Sequence, residues 1–203
     1  MSSPSLIFES TALNSGHTLI CGIDEAGRGP WAGPVVASAV VLDQKNIPFG
    51  LNDSKKLNEA EREALFDPII QSSQVGIGIV SALEIDDINI LQATFLAMQR
   101  ACSQLKSSPD LALIDGNRSP KLNCKIQTII GGDAISLSIA AASIIAKVTR
   151  DRIMHQHDET YPLYGFARHK GYGTAAHAAA LAEHGPCDEH RKSFKPIAII
   201  LGR

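Results

Sequence analysis

The chain has 203 residues, 44% hydrophobic and 20% charged, with 19 basic and 21 acidic side chains and a formal net charge of −2. This fits one globular domain with a sizeable core and excludes a disordered chain. The near balance of charge supplies no global field for nucleic acid, so such a partner would have to be met by local patches. Cys21, Cys102, Cys124 and Cys187 are scattered, with no C-x-x-C pair, and read as reduced thiols. No secretory leader and no window of roughly 18 to 20 apolar residues is present, so the expected location is the cytoplasm, with no membrane partner.

Residues 1–17 read as an N-terminal extension whose longest apolar run is Leu6 to Phe8. Thr18–Ile23, Val35–Leu42 and Val75–Val80 are β-branched, apolar runs bounded by Gly, Pro and Asp, the pattern of three consecutive strands. Between the second and third, a polar turn holding Lys55 and Lys56 leads into a helix over Asn58–Phe66, with Asn58 as its cap. From Ile85 to Leu105 the apolar residues Ile88, Leu91, Phe95, Met98, Cys102 and Leu105 recur at spacings of three and four, predicting one long amphipathic helix.

Leu111–Ile114 then reads as a short buried strand ending at Asp115. A strand, a long helix and another strand form a crossover unit with parallel strands. If the strand ending at Asp115 pairs with the one ending at Asp24, both carboxylates emerge at the carboxyl edge, where open α/β sheets place their sites. Ile126–Ile130 is a fifth strand, and Gly131-Gly132-Asp133 turns into a helix over about Ser136–His157 whose apolar centre should be buried on the sheet. The core domain therefore spans 18–160. A C-terminal helical region, 161–203, follows with a loop Tyr161–Gly173, an Ala-rich helix Thr174–His184 stopped by Gly185-Pro186, and a basic tail Arg191–Lys195.

The densest chemistry lies in Gly22-Ile23-Asp24-Glu25-Ala26-Gly27-Arg28-Gly29-Pro30. Adjacent carboxylates at a strand end repel unless a cation joins them, and carboxylate oxygens suit hard metals such as Mg²⁺ or Mn²⁺. Adjacent strand residues point to opposite faces, so Asp24 and Glu25 can share a site only if the strand finishes there. Asp115 and Asp133 converge on the same edge, although Asp133 alone reads equally well as a helix cap. Four carboxylates could hold two cations roughly 3.5 to 4 Å apart for in-line hydrolysis of a phosphodiester. Gly27 and Gly29, lacking a Cβ, let backbone groups approach a ligand.

Lys55 and Lys56 fit phosphate contacts and, equally, an ordinary solvated turn. Lys147, inside an apolar helix, needs a partner, which a phosphate or a site carboxylate would supply. The spacing Gly27-x-Gly29-x-x-x-Gly33 is not the dinucleotide fingerprint, and no Walker A motif is present. His184, Cys187 and His190 lack the paired spacing of a zinc site and read as a helix end and a loop.

GIDEAGRGPWAGPVVASAVVL, NDSKKL, LIDGN, GGDAISLSIAAASIIAKVTRDRIM and HKGYGT resemble, in order, the motifs of type 2 ribonuclease H, the ribonuclease HII family. The resemblance implies an α/β ribonuclease H-like fold, a five-stranded mixed sheet flanked by helices with a small helical C-terminal region. It implies hydrolysis of the RNA strand of RNA–DNA hybrids and cutting 5′ to single ribonucleotides in duplex DNA; in-line attack would leave 5′-phosphate and 3′-hydroxyl ends, and the chain is expected to be a monomer. Asp24, Glu25, Asp115 and Asp133 fall on the family's metal-binding carboxylates, served by Mn²⁺ or Mg²⁺. Gly27, Arg28 and Gly29 match the loop that recognises the ribose 2′-hydroxyl, the group that separates RNA from DNA. Tyr172 matches the tyrosine at the RNA–DNA junction; on its own it would read as a core or loop tyrosine. No clamp-binding pattern is seen in the C-terminal PIAIILGR. A non-catalytic hybrid-binding module, disfavoured by the four intact carboxylates, and another nuclease of the same fold are the rival readings. Ribonuclease HIII is disfavoured because only about 17 residues precede the first strand.

Overall fold

The computed structural model describes residues 3–203. The strands β1 (Ile20–Ala26), β2 (Val35–Leu42), β3 (Ser73–Val80), β4 (Leu111–Asp115) and β5 (Lys125–Ile129) form one sheet in the order β3-β2-β1-β4-β5. β1, β2 and β3 are antiparallel neighbours, whereas β1, β4 and β5 are parallel, so the sheet is mixed as the motifs imply. The helices are α1 (Ile7–Asn14), α2 (Glu59–Ser72), α3 (Ala82–Ser103), α4 (Leu137–Thr160), α5 (Phe166–His169), α6 (Ala175–His184) and α7 (Lys195–Ile200). None among the described residues is long and apolar enough to cross a membrane.

Two helices cover opposite faces of the sheet. On one, Ala93, Ala97, Met98 and Ala101 of α3 pack with Cys21, Ile23, Ala37, Ala112 and Ile114. On the other, Ala141, Ile144, Ile145 and Val148 of α4 pack with Val40 and Ile69. Full burial of each isoleucine contributes about 1.5–3 kcal/mol, and Ile139, Ile144 and Ile145 are all 0% exposed. α4 lies directly on β1: a Cβ on Gly22 would come within 2.1 Å of the Ser138 carbonyl carbon. That contact fixes the height of α4 over the sheet.

The start of α4 is fastened from the N-terminal extension. Glu9, on α1 and 3% exposed, accepts at Oε1 from Ser136 Oγ (2.6 Å), Ser138 N (3.0 Å) and Ser138 Oγ (2.6 Å). A buried carboxylate beside unpaired first-turn N–H groups is favourable through both hydrogen bonding and the helix dipole. Leu6–Phe8 thus opens a helix that its short, weakly patterned run does not reveal.

Three other boundaries differ from the sequence expectation. α2 continues past Phe66 through Pro68 to Ser72, because Ile69 is completely buried against α4 and this packing outweighs the hydrogen bond that proline cannot make. α3 is two helical segments, with Asn89 at φ 65, ψ 162 between them. Asn89 Oδ1 accepts from Leu91 N (3.0 Å) and Gln92 N (3.2 Å), capping the second segment. The supposed basic tail Arg191–Lys195 runs directly into α7, which begins at Lys195, and Arg191 ahead of it is completely buried.

Candidate active site

The last register pair between β1 and β4 is Ile23 with Ile114. Asp24 and Asp115 therefore come next on adjacent parallel strands, at the carboxyl edge. β1 does not finish at Glu25: it stays paired with β2 as far as Ala26 opposite Val36. Strand alternation then applies. Asp24 shares the α4 face with Gly22, and Glu25 shares the α3 face with Ile23. The expectation that the strand must end there is corrected: the two acids meet by flanking the open edge beside Asp115, and all three line one cavity of about 300 Å³.

Gly27, Arg28, Gly29, Lys55, Lys147 and Tyr172 line the same cavity. Asp133 lies just behind it in a 3₁₀ turn, Gly132–Ala134, 4% exposed, and accepts from Lys55 Nζ at 2.9 Å. Lys56 is exposed on the turn and does not line the cavity.

Electrostatically the acids are crowded. Burial, reinforced by the charges of Glu25 and Asp115, holds the Asp24 carboxyl well above the usual carboxylate range, against its hydrogen bond from Glu25 N (2.7 Å). Burial also raises Glu25, although Arg28 Nη1 at 3.3 Å opposes the shift. Burial and Asp133 raise Asp115, whose Oδ1 accepts from Gly132 N at 2.7 Å. Desolvation alone would lower Lys55, but its bond to Asp133 raises it overall.

Among the described residues no three His, Cys, Asp or Glu side chains are gathered closely enough to enclose a metal ion as they stand. Glu25 is drawn toward Arg28 and Asp133 toward Lys55. The donor chemistry still fits a hard divalent cation. The donors are all carboxylates, two of them buried, and at Asp24, Glu25 and Asp115 burial and neighbouring carboxylates disfavour the charged form, a penalty that an added cation relieves.

The partner of Lys147 is neither a phosphate nor one of the four acids. Its Nζ donates to Asp151, one turn on along α4, at 2.7 Å, and desolvation lowers its pKa. Ser143, Lys147 and Arg150 follow the helical repeat and face the cavity together. Arg62 donates to the Ser54 and Leu57 carbonyls, and Ser54 Oγ lies 2.6 Å from Ser143 Oγ, so the Lys55 turn is bound to both α2 and α4.

The Gly27–Gly29 loop rests on two arginines that sequence reasoning missed. Arg150, 1% exposed, donates to the Pro34 and Ala32 carbonyls, and Arg191, 0% exposed, donates to those of Gly27, Arg28, Gly33 and Pro34. Burial lowers them to about 10 and about 9. Gly27 has φ +97, and a Cβ there would sit 2.1 Å from Arg150 Nε, so only glycine fits. At Gly29 a Cβ would meet nothing nearer than Tyr172 Cε1 at 3.7 Å. The folded protein does not itself require that glycine.

Tyr172 stands half exposed above Gly29 on a loop held by histidines. His177 Nδ1 is 3.0 Å from the Tyr172 carbonyl, His177 Nε2 is 3.0 Å from His190 Nε2, and His190 Nδ1 accepts from Cys187 N at 3.0 Å. A carbonyl can only accept, so both rings are neutral and the chain runs from Cys187 through His190 and His177 to Tyr172. These residues orient the loop and form no zinc site with His184.

The family model described as ribonuclease HII matches residues 21–197. Ribonuclease HII of Magnetococcus marinus is 56% identical over 203 residues, covering 98% of this chain and 95% of that protein. Ribonuclease HII of Parvibaculum lavamentivorans is also 56% identical, over 184 residues, covering 90% and 68%. The crystal structure of ribonuclease H2 from Pyrococcus horikoshii superposes with a TM-score of 0.76 at 28% identity, covering 92% of this chain and 98% of that one. With the fold, the matched span and these likenesses in agreement, the chain belongs to the ribonuclease HII family of endoribonucleases.

Proposed function

We propose that the cavity cuts the RNA strand of RNA–DNA hybrids and cuts 5′ to a single ribonucleotide in duplex DNA, leaving 5′-phosphate and 3′-hydroxyl ends. The observation that carries this reading is the meeting of Asp24, Glu25 and Asp115 with the Gly27–Gly29 backbone in one cavity, with Asp133 reaching it through Lys55. Asp24, Glu25, Asp115 and Asp133 would hold Mg²⁺ or Mn²⁺, which when bound supplies Lewis-acid activation of water for in-line attack on phosphorus and stabilises the departing oxygen.

The other groups bind and orient. Arg28, Lys55 and Lys147 set positive charge around the acids and suit the phosphates on either side of the scissile bond. Lys56, exposed on the turn outside the cavity, would serve at most a more distant phosphate along the duplex. The loop backbone between Gly27 and Gly29 suits the 2′-hydroxyl, which both donates and accepts hydrogen bonds. The Tyr172 ring, above Gly29, suits stacking on the adjoining sugar or base.

The test is cleavage of a DNA duplex with one embedded ribonucleotide, with each metal and with the cut mapped, beside the same duplex made wholly of DNA. A cut 5′ to the ribonucleotide and an intact all-DNA duplex are expected. Cleavage of both, or of neither with either metal, refutes the reading.

A further inference from the structure

Although the sequence places Arg191 in a basic tail, the structure buries it completely behind the Gly27–Gly29 loop, outside the cavity lining. Among the described residues no carboxylate lies within ion-pair distance of it. Its partners are backbone carbonyls: Nε donates to Gly33 (2.9 Å), Nη1 to Arg28 (3.0 Å), and Nη2 to Gly27 (2.5 Å) and Pro34 (3.1 Å). A buried guanidinium is expensive to desolvate. Here the fork geometry of its donors serves four acceptors at once, which a lysine ammonium cannot do.

Peptide planarity then sets the direction of the loop amides. In a trans peptide the C=O and the next N–H point in opposite directions. With the Gly27 and Arg28 carbonyls turned back onto Arg191, the N–H groups of Arg28 and Gly29 are turned away from it. Neither N–H has a protein acceptor among the described residues, and both residues line the cavity. Two successive amides turned outward make a concave donor pair suited to an oxygen acceptor.

Arg191 is itself held in register with this loop. Its own N–H donates to the Trp31 carbonyl (2.8 Å), Gly33 N donates to Glu189 (2.8 Å), and Ala32 bridges His190. Asp86 of α3 fixes the next residues by accepting from Lys192 N and Ser193 N, each at 2.8 Å. The C-terminal region thus delivers one side chain to the back of the loop.

We propose that Arg191 is a positioning residue for ribonucleotide selection: by holding the Gly27 and Arg28 carbonyls it presents the Arg28 and Gly29 amides to the ribose oxygen of the substrate. The inference rests on the proposed reading of the loop as the 2′-hydroxyl reader. Arg191 touches neither substrate nor the acidic cluster, so its loss weakens selection without altering general duplex binding.

The experiment compares wild type with Arg191→Lys and Arg191→Met on a duplex with one ribonucleotide and on the same all-DNA duplex. For Arg191→Lys, kcat/KM on the first should fall about 10- to 100-fold, the effect of one or two lost or misaligned hydrogen bonds, while Kd for the second changes less than about twofold. Arg191→Met should fall further, giving the lysine variant partial rescue. Equal losses of cleavage and of all-DNA affinity, or full activity in the lysine variant, overturn the proposal. Should both variants fail to fold, wild-type amide exchange decides: the Arg28 and Gly29 amides should exchange freely alone, be protected by the ribonucleotide duplex, and stay unprotected with all-DNA. Protection in the free protein, or by both duplexes, overturns it. If wild type itself fails to prefer the ribonucleotide duplex, the functional reading falls and the role of Arg191 falls with it.

Discussion

The histidine chain behind Tyr172 makes folding stability depend on mild acid. His177 and His190 are both completely buried. Burial lowers each ring from 6.5 to about 4, helped by the charge of His169 for His177 and of His177 for His190. The unfolded chain therefore binds protons that the folded one refuses between pH 6.5 and 4. Stability is complete above 6.5 and is lost as pH falls toward 4. One ring shifted by about 2.5 units is worth about 3 kcal/mol. The rings share a hydrogen bond, so the first proton disrupts it and the two contributions do not simply add. The raised carboxylates of Asp24, Glu25 and Asp115 act oppositely, since their neutral forms are favoured on folding and their contribution is lost as pH rises. A difference measurement removes them. Urea unfolding of wild type and His177→Phe should be followed from pH 7.5 to 4.5 at constant ionic strength. His177→Phe keeps a ring in the aromatic cluster but leaves His190 Nε2 and the Tyr172 carbonyl unpaired. It should be about 2–4 kcal/mol less stable at pH 7, and the gap should narrow by about 2 kcal/mol at pH 4.5. A gap constant with pH would show that the rings titrate normally and that the neutral chain is misassigned.

Asp24→Asn should abolish cleavage, keep hybrid binding and raise the Tm of the metal-free protein, because it removes a carboxyl whose ionisation is opposed by burial and by Glu25 and Asp115; full activity with Mg²⁺ would sink the metal assignment. Gly27→Ala should cost about 2–5 kcal/mol through positive φ and collision with Arg150. Gly29→Ala should leave the melt within about 1 kcal/mol of wild type while cutting activity, and equal melts for the two variants would contradict the account of the loop. Tyr172→Ala should lose more activity on a duplex with one ribonucleotide than affinity for plain DNA, as read by parallel kinetics and titration; equal losses would remove the junction role.

The five strands and the long helices are written in local patterns. Apolar β-branched runs and the 3.6-residue repeat are short-range facts, so β1 to β5, α4 and the segments of α3 could be located without coordinates. Local patterns fail where packing or a single side chain intervenes. Pro68 ends a helix by propensity, but burial of Ile69 carries α2 past it. Asn89 interrupts α3 because its side chain caps the second segment, which an apolar spacing does not reveal. α1 and α7 are too short to show a period, and each matters through one polar residue, Glu9 within α1 and Arg191 ahead of α7.

By itself the sequence determined the residue types at the site and that Asp24 and Asp115 each follow an apolar strand; that they leave the sheet at one edge waited on the parallel pairing of β1 with β4. Residue type and strand direction are local properties, and a carboxylate after an apolar strand carries its meaning with it. Only the tertiary structure decided which groups face one another. Asp24 and Glu25 lie on opposite faces and meet around an edge. Lys147 answers Asp151, Lys55 answers Asp133, and Lys56 answers neither. Arg191, 164 positions from Gly27, is a buried bracket rather than a surface charge. Such pairings depend on long-range packing and on the balance between desolvating a charge and satisfying its hydrogen bonds, a balance set only when separate segments of the chain arrive together.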